Sequence, residues 1–77
     1  MTEHILKIFQ PSMVYFLKES PFGEDVYVIV MNDTKDINKK MSELYRKAGE
    51  DIAVIVLTSE EYRNAESLLQ EKGERLY

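Results

Sequence analysis

The chain has 77 residues, of which 14 are acidic and 10 are lysine or arginine, with no cysteine and a single histidine. A chain of this length forms one domain and buries only about 60% of the surface that it exposes when unfolded. The lack of cysteine excludes disulfides, thiolate metal sites and cysteine nucleophiles, and His4 alone cannot build a histidine metal cluster or a Ser–His pair. The net charge of −4 disfavours binding to nucleic-acid phosphates.

The sequence contains no segment that is apolar for long enough to span a membrane. The longest apolar run covers residues 52–57, whereas a membrane helix needs about 20 residues. Residues 1–4 lack the basic start of a secretory signal peptide. We therefore expect a cytoplasmic domain that makes no contact with a membrane.

The first third of the chain predicts a short N-terminal element followed by a β-hairpin. Residues 1–11 form either a helix with one apolar face or an extended arm, and Pro11 ends it. Uninterrupted apolar runs within 12–18 and 25–32 predict two strands that are covered on both faces. Proline and glycine in residues 19–24 indicate a turn, so we expect the two strands to pair antiparallel.

The remaining residues predict helix, strand, helix and a short closing strand. Residues 34–48 predict a helix, and the apolar run within 51–58 predicts a third strand. Thr58, with a glutamate three residues later, offers a capping box for a helix over 59–72, and 75–77 predict a short edge strand. The apolar stripes that face the sheet are predicted to be Ile37, Met41, Leu44, Tyr45 and Ala48 in the first of these helices and Tyr62, Ala65, Leu68 and Leu69 in the second.

The order of these elements predicts an α/β (α+β) fold. It is a small mixed sheet of three to four strands in the order (α)ββαβα(β), with helices packed on it. Residues 1–11 are the N-terminal helix or arm and 12–77 the core of a single domain. The strand–helix–strand crossover makes its two strands parallel, and we expect the first and last helices to cover the face opposite the crossover helix. Because these helices are short, we expect sheet surface, or the edge at Leu76 and Tyr77, to stay exposed and to bind a second copy or another protein.

The stretch from Val14 to Tyr77 resembles the minimal nucleotidyltransferases of the DNA-polymerase-β-like superfamily in element order and spacing. Residues 14–17 look like the first strand of that family, 19–23 lie where its Gly-Ser turn would sit, and 25–30 look like its Asp-x-Asp strand. The segments Asp51–Val54 and Leu57–Glu61 are similar to its third-carboxylate strand and the following helix cap, and Gly73–Tyr77 resembles its closing strand.

The chemistry of the family would fall on five positions. Family members transfer a nucleotide with two divalent metals held by three carboxylates, because two hard cations need several anionic oxygens close together. The resemblance places Asp25 and Asp51 at the first and third carboxylates, but Tyr27 at the second, and a neutral phenol is a poor magnesium ligand. Ser20 matches the serine of the turn, whereas Glu19 replaces the glycine that lets the backbone approach a triphosphate.

The resemblance therefore implies the scaffold more than the activity. We expect a non-catalytic domain without a cofactor that acts through protein contacts, as a homodimer or in an antitoxin-like or regulatory role beside a partner. One alternative is a divergent Mg²⁺-dependent nucleotidyltransferase that uses Asp25, Asp51 and Ser20. The other is a small nucleic-acid-binding module, with Tyr15 and Tyr27 on adjacent strands as a platform for stacking bases.

The polar residues at the strand ends and the basic residues of the middle helix each have a functional and a structural interpretation. Residues 32–34 and 58–59 follow strands and open helices, where anions and other ligands bind in open α/β sheets. We favour simple N-capping for both segments. The basic pairs 39–40 and 46–47 could form a face for RNA, but a solvated helix surface fits the net negative charge better.

Overall fold

The computed structural model describes residues 2–18, 23–33, 35–48 and 52–77. These residues form three helices packed on a four-stranded mixed sheet, which confirms the predicted α/β (α+β) fold. The helices are α1 (Thr2–Phe9), α2 (Ile37–Ala48) and α3 (Ser59–Lys72), and the strands are β1 (Met13–Leu17), β2 (Val26–Met31), β3 (Ala53–Thr58) and β4 (Gly73–Arg75).

The strands lie in the order β3-β2-β1-β4. β1 pairs antiparallel with β2, and β2 pairs parallel with β3, so that Val26 lies opposite Ala53. β4 pairs antiparallel with β1, with Gly73 opposite Leu17. The hairpin, the parallel crossover and the closing strand are therefore all confirmed, although the closing strand begins at Gly73 rather than at residue 75.

The N-terminal segment is a helix. Ile5 and Phe9 are fully buried on one side of α1. The helix ends where Gln10 adopts a φ of 49°, and Pro11 follows, so that only a short connection separates α1 from β1.

α1 packs beside α2, so the expectation that the first and last helices share one face of the sheet is wrong. Ile5 of α1 and Leu44 of α2 belong to the same buried cluster as Ile29 of β2. Both helices carry apolar side chains on one side only, and the short link into β1 leaves α1 in reach of α2. The buried residues of this first cluster are Ile5, Phe9, Val14, Ile29, Met31 and Leu44.

Among the described residues, α3 alone covers the second face of the sheet. Leu69 is buried there against Val26 and Val28, with Tyr15 in the same cluster. A single helix buries only a narrow stripe, and Leu68, the neighbour of Leu69, remains 38% exposed. Tyr45 of α2 is 39% exposed. Tyr45 lies outside both buried clusters, so its predicted place against the sheet is wrong, whereas Leu68, although partly exposed, borders the sheet residues Ile55 and Leu57.

Both ends of α3 are defined by specific contacts. The capping box is confirmed, because the backbone N–H of Glu61 donates to Thr58 Oγ1 over 3.1 Å and the N–H of Thr58 donates to Glu61 Oε1 over 2.9 Å. At the other end, a Cβ on Gly73 would lie 2.7 Å from the carbonyl oxygen of Leu69. Only glycine therefore lets β4 start directly after the helix.

No helix within the described ranges is long and apolar enough to cross a membrane.

Candidate functional site

β3 forms one edge of the sheet and has β2 as its neighbour on the other side. Its six residues, Ala53–Thr58, carry no charge, and each of them is half-buried. An edge strand presents a row of backbone N–H and C=O groups that can pair with another chain. β3 therefore offers a six-residue apolar edge with hydrogen-bonding groups along it.

The side chains of β3 alternate between the two faces of the sheet. Val54 and Val56 pack against the cluster under α1 and α2. Ala53, Ile55 and Leu57 pack against the cluster under α3. Because all of these residues remain half-buried, apolar area is exposed on both sides of the edge.

An apolar groove adjoins β3 on the face that α3 covers. It has a volume of about 220 Å³. Ile55 and Leu57 of β3 form its border with the edge strand, and the exposed Leu68 belongs to its α3 wall. We call Ile55, Leu57, Ala65 and Leu68, together with the outer edge of β3, the β3–α3 surface. The groove is lined by Leu17, Val28, Ile55, Leu57, Ala65, Leu68 and Leu69, all aliphatic.

Two tyrosines connect the first turn of α3 to β1. The hydroxyl groups of Tyr15 and Tyr62 are hydrogen-bonded over 3.1 Å, and their rings stack with centroids 6.0 Å apart. This hydrogen bond is the main cause that raises the pKa of Tyr62 above its ordinary value, with smaller contributions from burial and from Glu66. The pair satisfies two polar groups at the sheet and holds α3 in place. Sequence spacing contained no signal for it, because the residues are 47 positions apart.

Tyr15 and Tyr27 do not form an aromatic platform. Tyr15 lies in the cluster under α3, whereas Tyr27 packs against the cluster under α1 and α2. The strand register explains this, since Phe16 rather than Tyr15 lies opposite Tyr27. The Phe16 and Tyr27 rings accordingly contact each other with centroids 5.0 Å apart.

The carboxyl ends of β2 and β3 lie side by side, as expected for parallel strands. The Ser59 hydroxyl donates to Asn32 Oδ1, and Asp33 Oδ1 accepts from the backbone N–H of Lys35 over 2.9 Å. The side chains of Asn32, Asp33 and Thr58 thus accept hydrogen bonds from nearby parts of the chain. The favoured capping interpretation is thus confirmed at Thr58. In the other segment, α2 begins only at Ile37, and Asp33 accepts from Lys35 ahead of the helix, while Thr34 lies outside the described residues.

Of the predicted carboxylate positions, Asp25 and Tyr27 lie within the described residues. Asp25 is exposed immediately before β2, and Tyr27 is half-buried against Phe16. Ser20 and Asp51, like Glu19, lie outside the described residues. Within the described ranges there is no group of three or more histidine, aspartate or glutamate residues that could hold a metal ion.

The predicted interface residues Leu76 and Tyr77 follow β4. Leu76 is half-buried and packs against the first cluster, whereas Tyr77 is 54% exposed. Their backbone N–H groups both donate to the carbonyl oxygen of Val14, over 2.8 and 3.2 Å. The two residues therefore extend the pairing of the closing strand with β1, at the edge opposite β3.

The basic residues of α2 do not form an uninterrupted cationic face. Glu43 lines a shallow depression with Lys39 and Arg46. It also lines a second depression between α1 and α2, with Lys7 and Lys47. An acid at the centre of the basic residues is typical of an ordinary solvated helix surface.

Comparisons of the chain with protein-family models, with curated proteins and with solved structures gave no match.

Proposed function

We propose that this chain is a non-catalytic, cytoplasmic α/β domain on a nucleotidyltransferase-like scaffold, and that it acts by binding a protein through the β3–α3 surface. The observation that carries the proposal is β3 itself, an edge strand of six uncharged residues that are all half-buried. Edge strands that bind nothing are usually protected by charge, by proline or by shortness. β3 has none of these protections.

The distribution of charge supports this choice of surface. Charged residues make up 31% of the chain, yet none lies between positions 52 and 58. The adjoining groove is lined by aliphatic side chains alone. Protein interfaces are depleted in charge at their centre, whereas a small-molecule site needs a few convergent polar groups to orient its ligand. The composition of the β3–α3 surface therefore favours a protein partner over a small polar ligand.

The scaffold and the lack of catalysis in this proposal rest on different observations. After α1, the elements run hairpin, helix, strand, helix and strand, which is the order that the resemblance implies for residues 14–77. At the second carboxylate position, however, Tyr27 packs its ring against Phe16, so its place is explained by packing. An antitoxin-like or regulatory role would use such a scaffold for contact alone.

A matched pair of exposed residues tests the proposal. Leu68 on α3 and Tyr45 on α2 are 38% and 39% exposed, so lysine at either position has a similar, small cost in stability. Tagged wild-type, Leu68→Lys and Tyr45→Lys chains are expressed in the native host and purified with their bound proteins, which are quantified by mass spectrometry.

We expect Leu68→Lys to lose at least about 90% of the protein bound specifically by the wild type, which corresponds to about 1.4 kcal/mol. Tyr45→Lys retains it. Equal retention by the two variants would show that the β3–α3 surface is not the binding surface.

A further inference from the structure

We infer that the partner at the β3–α3 surface is a second copy of this chain, whose β3 pairs antiparallel with the first along the outer edge. This inference rests on the proposed function, because it identifies the protein that the same surface binds. The two four-stranded sheets would join into one continuous sheet, related by a two-fold axis perpendicular to it. Backbone N–H and C=O groups that face outward from both β3 strands would then pair with each other.

The sequence of β3 is complementary to itself when read in the opposite direction. With the two-fold axis at Ile55, this residue lies opposite its own counterpart, and Val54 lies opposite Val56. Ala53 then lies opposite Leu57, which places a small side chain against a large one. Like charges opposite each other destabilise an antiparallel pair, but this pairing contains no charged residue. A two-fold interface needs this self-complementarity.

The two-fold axis also brings the apolar grooves of the two copies to the same side. An axis perpendicular to the sheet leaves each face on its own side, so both α3 helices cover the same face of the joined sheet. Ile55, which borders the groove in one copy, then lies opposite Ile55 of the other copy, and Leu57 lies opposite Ala53. An interface of standard size removes about 800 Å² from each partner, about one-seventh of the 5296 Å² that this chain exposes. The groove walls, including Leu68, therefore have to contribute beside the strand pair.

The opposite edge of the sheet explains why assembly would stop at two copies. β4 has three residues, two of which, Glu74 and Arg75, are charged and exposed. The pairing with β1 continues through Leu76 and Tyr77, but the two exposed charges disfavour further pairing along this edge. A two-fold contact through β3 alone closes the assembly.

Opposite charges at position 55 test the inference directly. Wild type, Ile55→Lys, Ile55→Glu and an equimolar mixture of the two variants are compared by sedimentation velocity, with circular dichroism as the check of folding. We expect a wild-type dimer, at least a tenfold weaker dimer for each variant alone, and a restored dimer in the mixture. Each variant alone would place like charges opposite each other, whereas the mixture places lysine opposite glutamate.

Two measurements keep the test valid if a charge at position 55 impairs folding. Leu68→Lys lies at an exposed position and should also weaken the dimer, whereas Tyr45→Lys should not. In the wild type, hydrogen exchange at β3 amides should become faster on dilution, while exchange at β4 amides should be independent of concentration. Identical exchange in β3 at high and low concentration would overturn the inference.

The outcomes separate this inference from the proposed function. A wild-type chain that is monomeric at millimolar concentration overturns the second-copy inference. If Leu68-dependent binding of a different protein persists in the host, the proposed function still stands. A dimer that tolerates both Ile55→Lys and Leu68→Lys overturns the inference, and the proposed function falls with it if binding in the host is also unchanged.

Discussion

The two edges of the sheet differ in length, charge and packing. β3 contributes six uncharged residues, all half-buried, whereas β4 contributes three residues and includes two exposed charges. The two strands are the opposite edges of one sheet, and α3 connects them, since it begins at the end of β3 and ends at the start of β4. The difference is therefore one of side chains and strand length, not of fold.

This contrast shows where a small domain can place a binding surface. β4 is only three residues long and carries the charges of Glu74 and Arg75. These features are the common protections of an edge strand. The molecule therefore has one edge strand with these protections, β4, and one without them, β3.

The largest expected loss of stability comes from weakening the packing of α3 on the sheet. Leu69 is 2% exposed, so Leu69→Ala should lower the free energy of unfolding by about 2–5 kcal/mol through lost burial and a cavity. Both edges should be affected, because α3 joins them. Urea denaturation measures the change. Leu68→Ala is the control, with an expected change of about 0.5 kcal/mol, and equal effects at the two positions would contradict the assigned burial.

Gly73→Ala should affect the β4 edge and leave the β3 edge intact. Its Cβ would meet the Leu69 carbonyl oxygen at 2.7 Å, so the helix end must shift, at a cost of about 1–3 kcal/mol. Hydrogen exchange should become faster at the β1 amides that pair with β4, and less so at β3. Unchanged exchange in β1 would show that the closing strand does not depend on glycine.

The contrast between the edges should disappear when β4 is made apolar. The double variant Glu74→Val and Arg75→Val removes both charges from the second edge. A chain that can pair with other copies through both edge strands forms open assemblies rather than closed dimers. We expect species larger than a dimer at concentrations at which the wild type is a dimer. Multi-angle light scattering measures the mass, and Glu71→Val on α3, outside the strand, is the control.

Alkaline pH should weaken the packing of α3 on β1, because Tyr62 is hydrogen-bonded to Tyr15. The pKa of Tyr62 is raised above 10.0, mainly by its hydrogen bond with Tyr15. The folded chain therefore holds this proton more tightly than the unfolded chain does. The resulting stability is fully present below the ordinary tyrosine pKa and is lost as the pH rises through the higher pKa of Tyr62.

Tyr15→Phe tests this assignment. It should lower the pKa of Tyr62 and reduce stability at neutral pH by about 0.5–1.5 kcal/mol. The pKa is followed by the absorbance of tyrosinate, and Tyr77→Phe at the exposed C-terminal side serves as the control. An unchanged titration in Tyr15→Phe would contradict the hydrogen bond as the main cause.

The smallest expected effect is the response to Mg²⁺ and a nucleoside triphosphate. Tyr27 lies where a metal-binding carboxylate would be needed and packs against Phe16. We expect the amide resonances of Asp25, Ala53 and their neighbours to remain unchanged at millimolar ligand. Saturable shifts near Asp25 would instead favour the enzymatic alternative.

Much of the fold could be predicted because its signals are local. The apolar runs of β1, β2 and β3, the helical stripe around Leu44 and the capping box at Thr58 each lie within a few consecutive residues. Backbone geometry converts such spacing directly into strand or helix. The preference for N-capping over an anion site at Thr58 was equally local and is confirmed by the contacts of Glu61.

The candidate site depended on information that the sequence pattern does not contain. The predicted interface at Leu76 and Tyr77 stays a prediction, and the structure adds the β3–α3 surface at the opposite edge. The apolar run of β3 indicated a strand covered on both faces, but its place at an edge of the sheet leaves it half-buried. Similarly, Leu68 matched the buried stripe of α3 but lies in the wall of the open groove, where it stays 38% exposed.

The sequence by itself determined the type and order of the elements from β1 to α3, while it left residues 1–11 as a helix or an arm and the sheet at three to four strands. It also determined which residues are too apolar to remain solvated alone. Only the tertiary structure decided that α1 joins α2, that Tyr15 meets Tyr62 and that β3 rather than β4 is the exposed apolar edge. The reason is physical. Periodicity arises from neighbouring residues along the chain, whereas strand order and helix placement depend on contacts between residues that are distant in sequence.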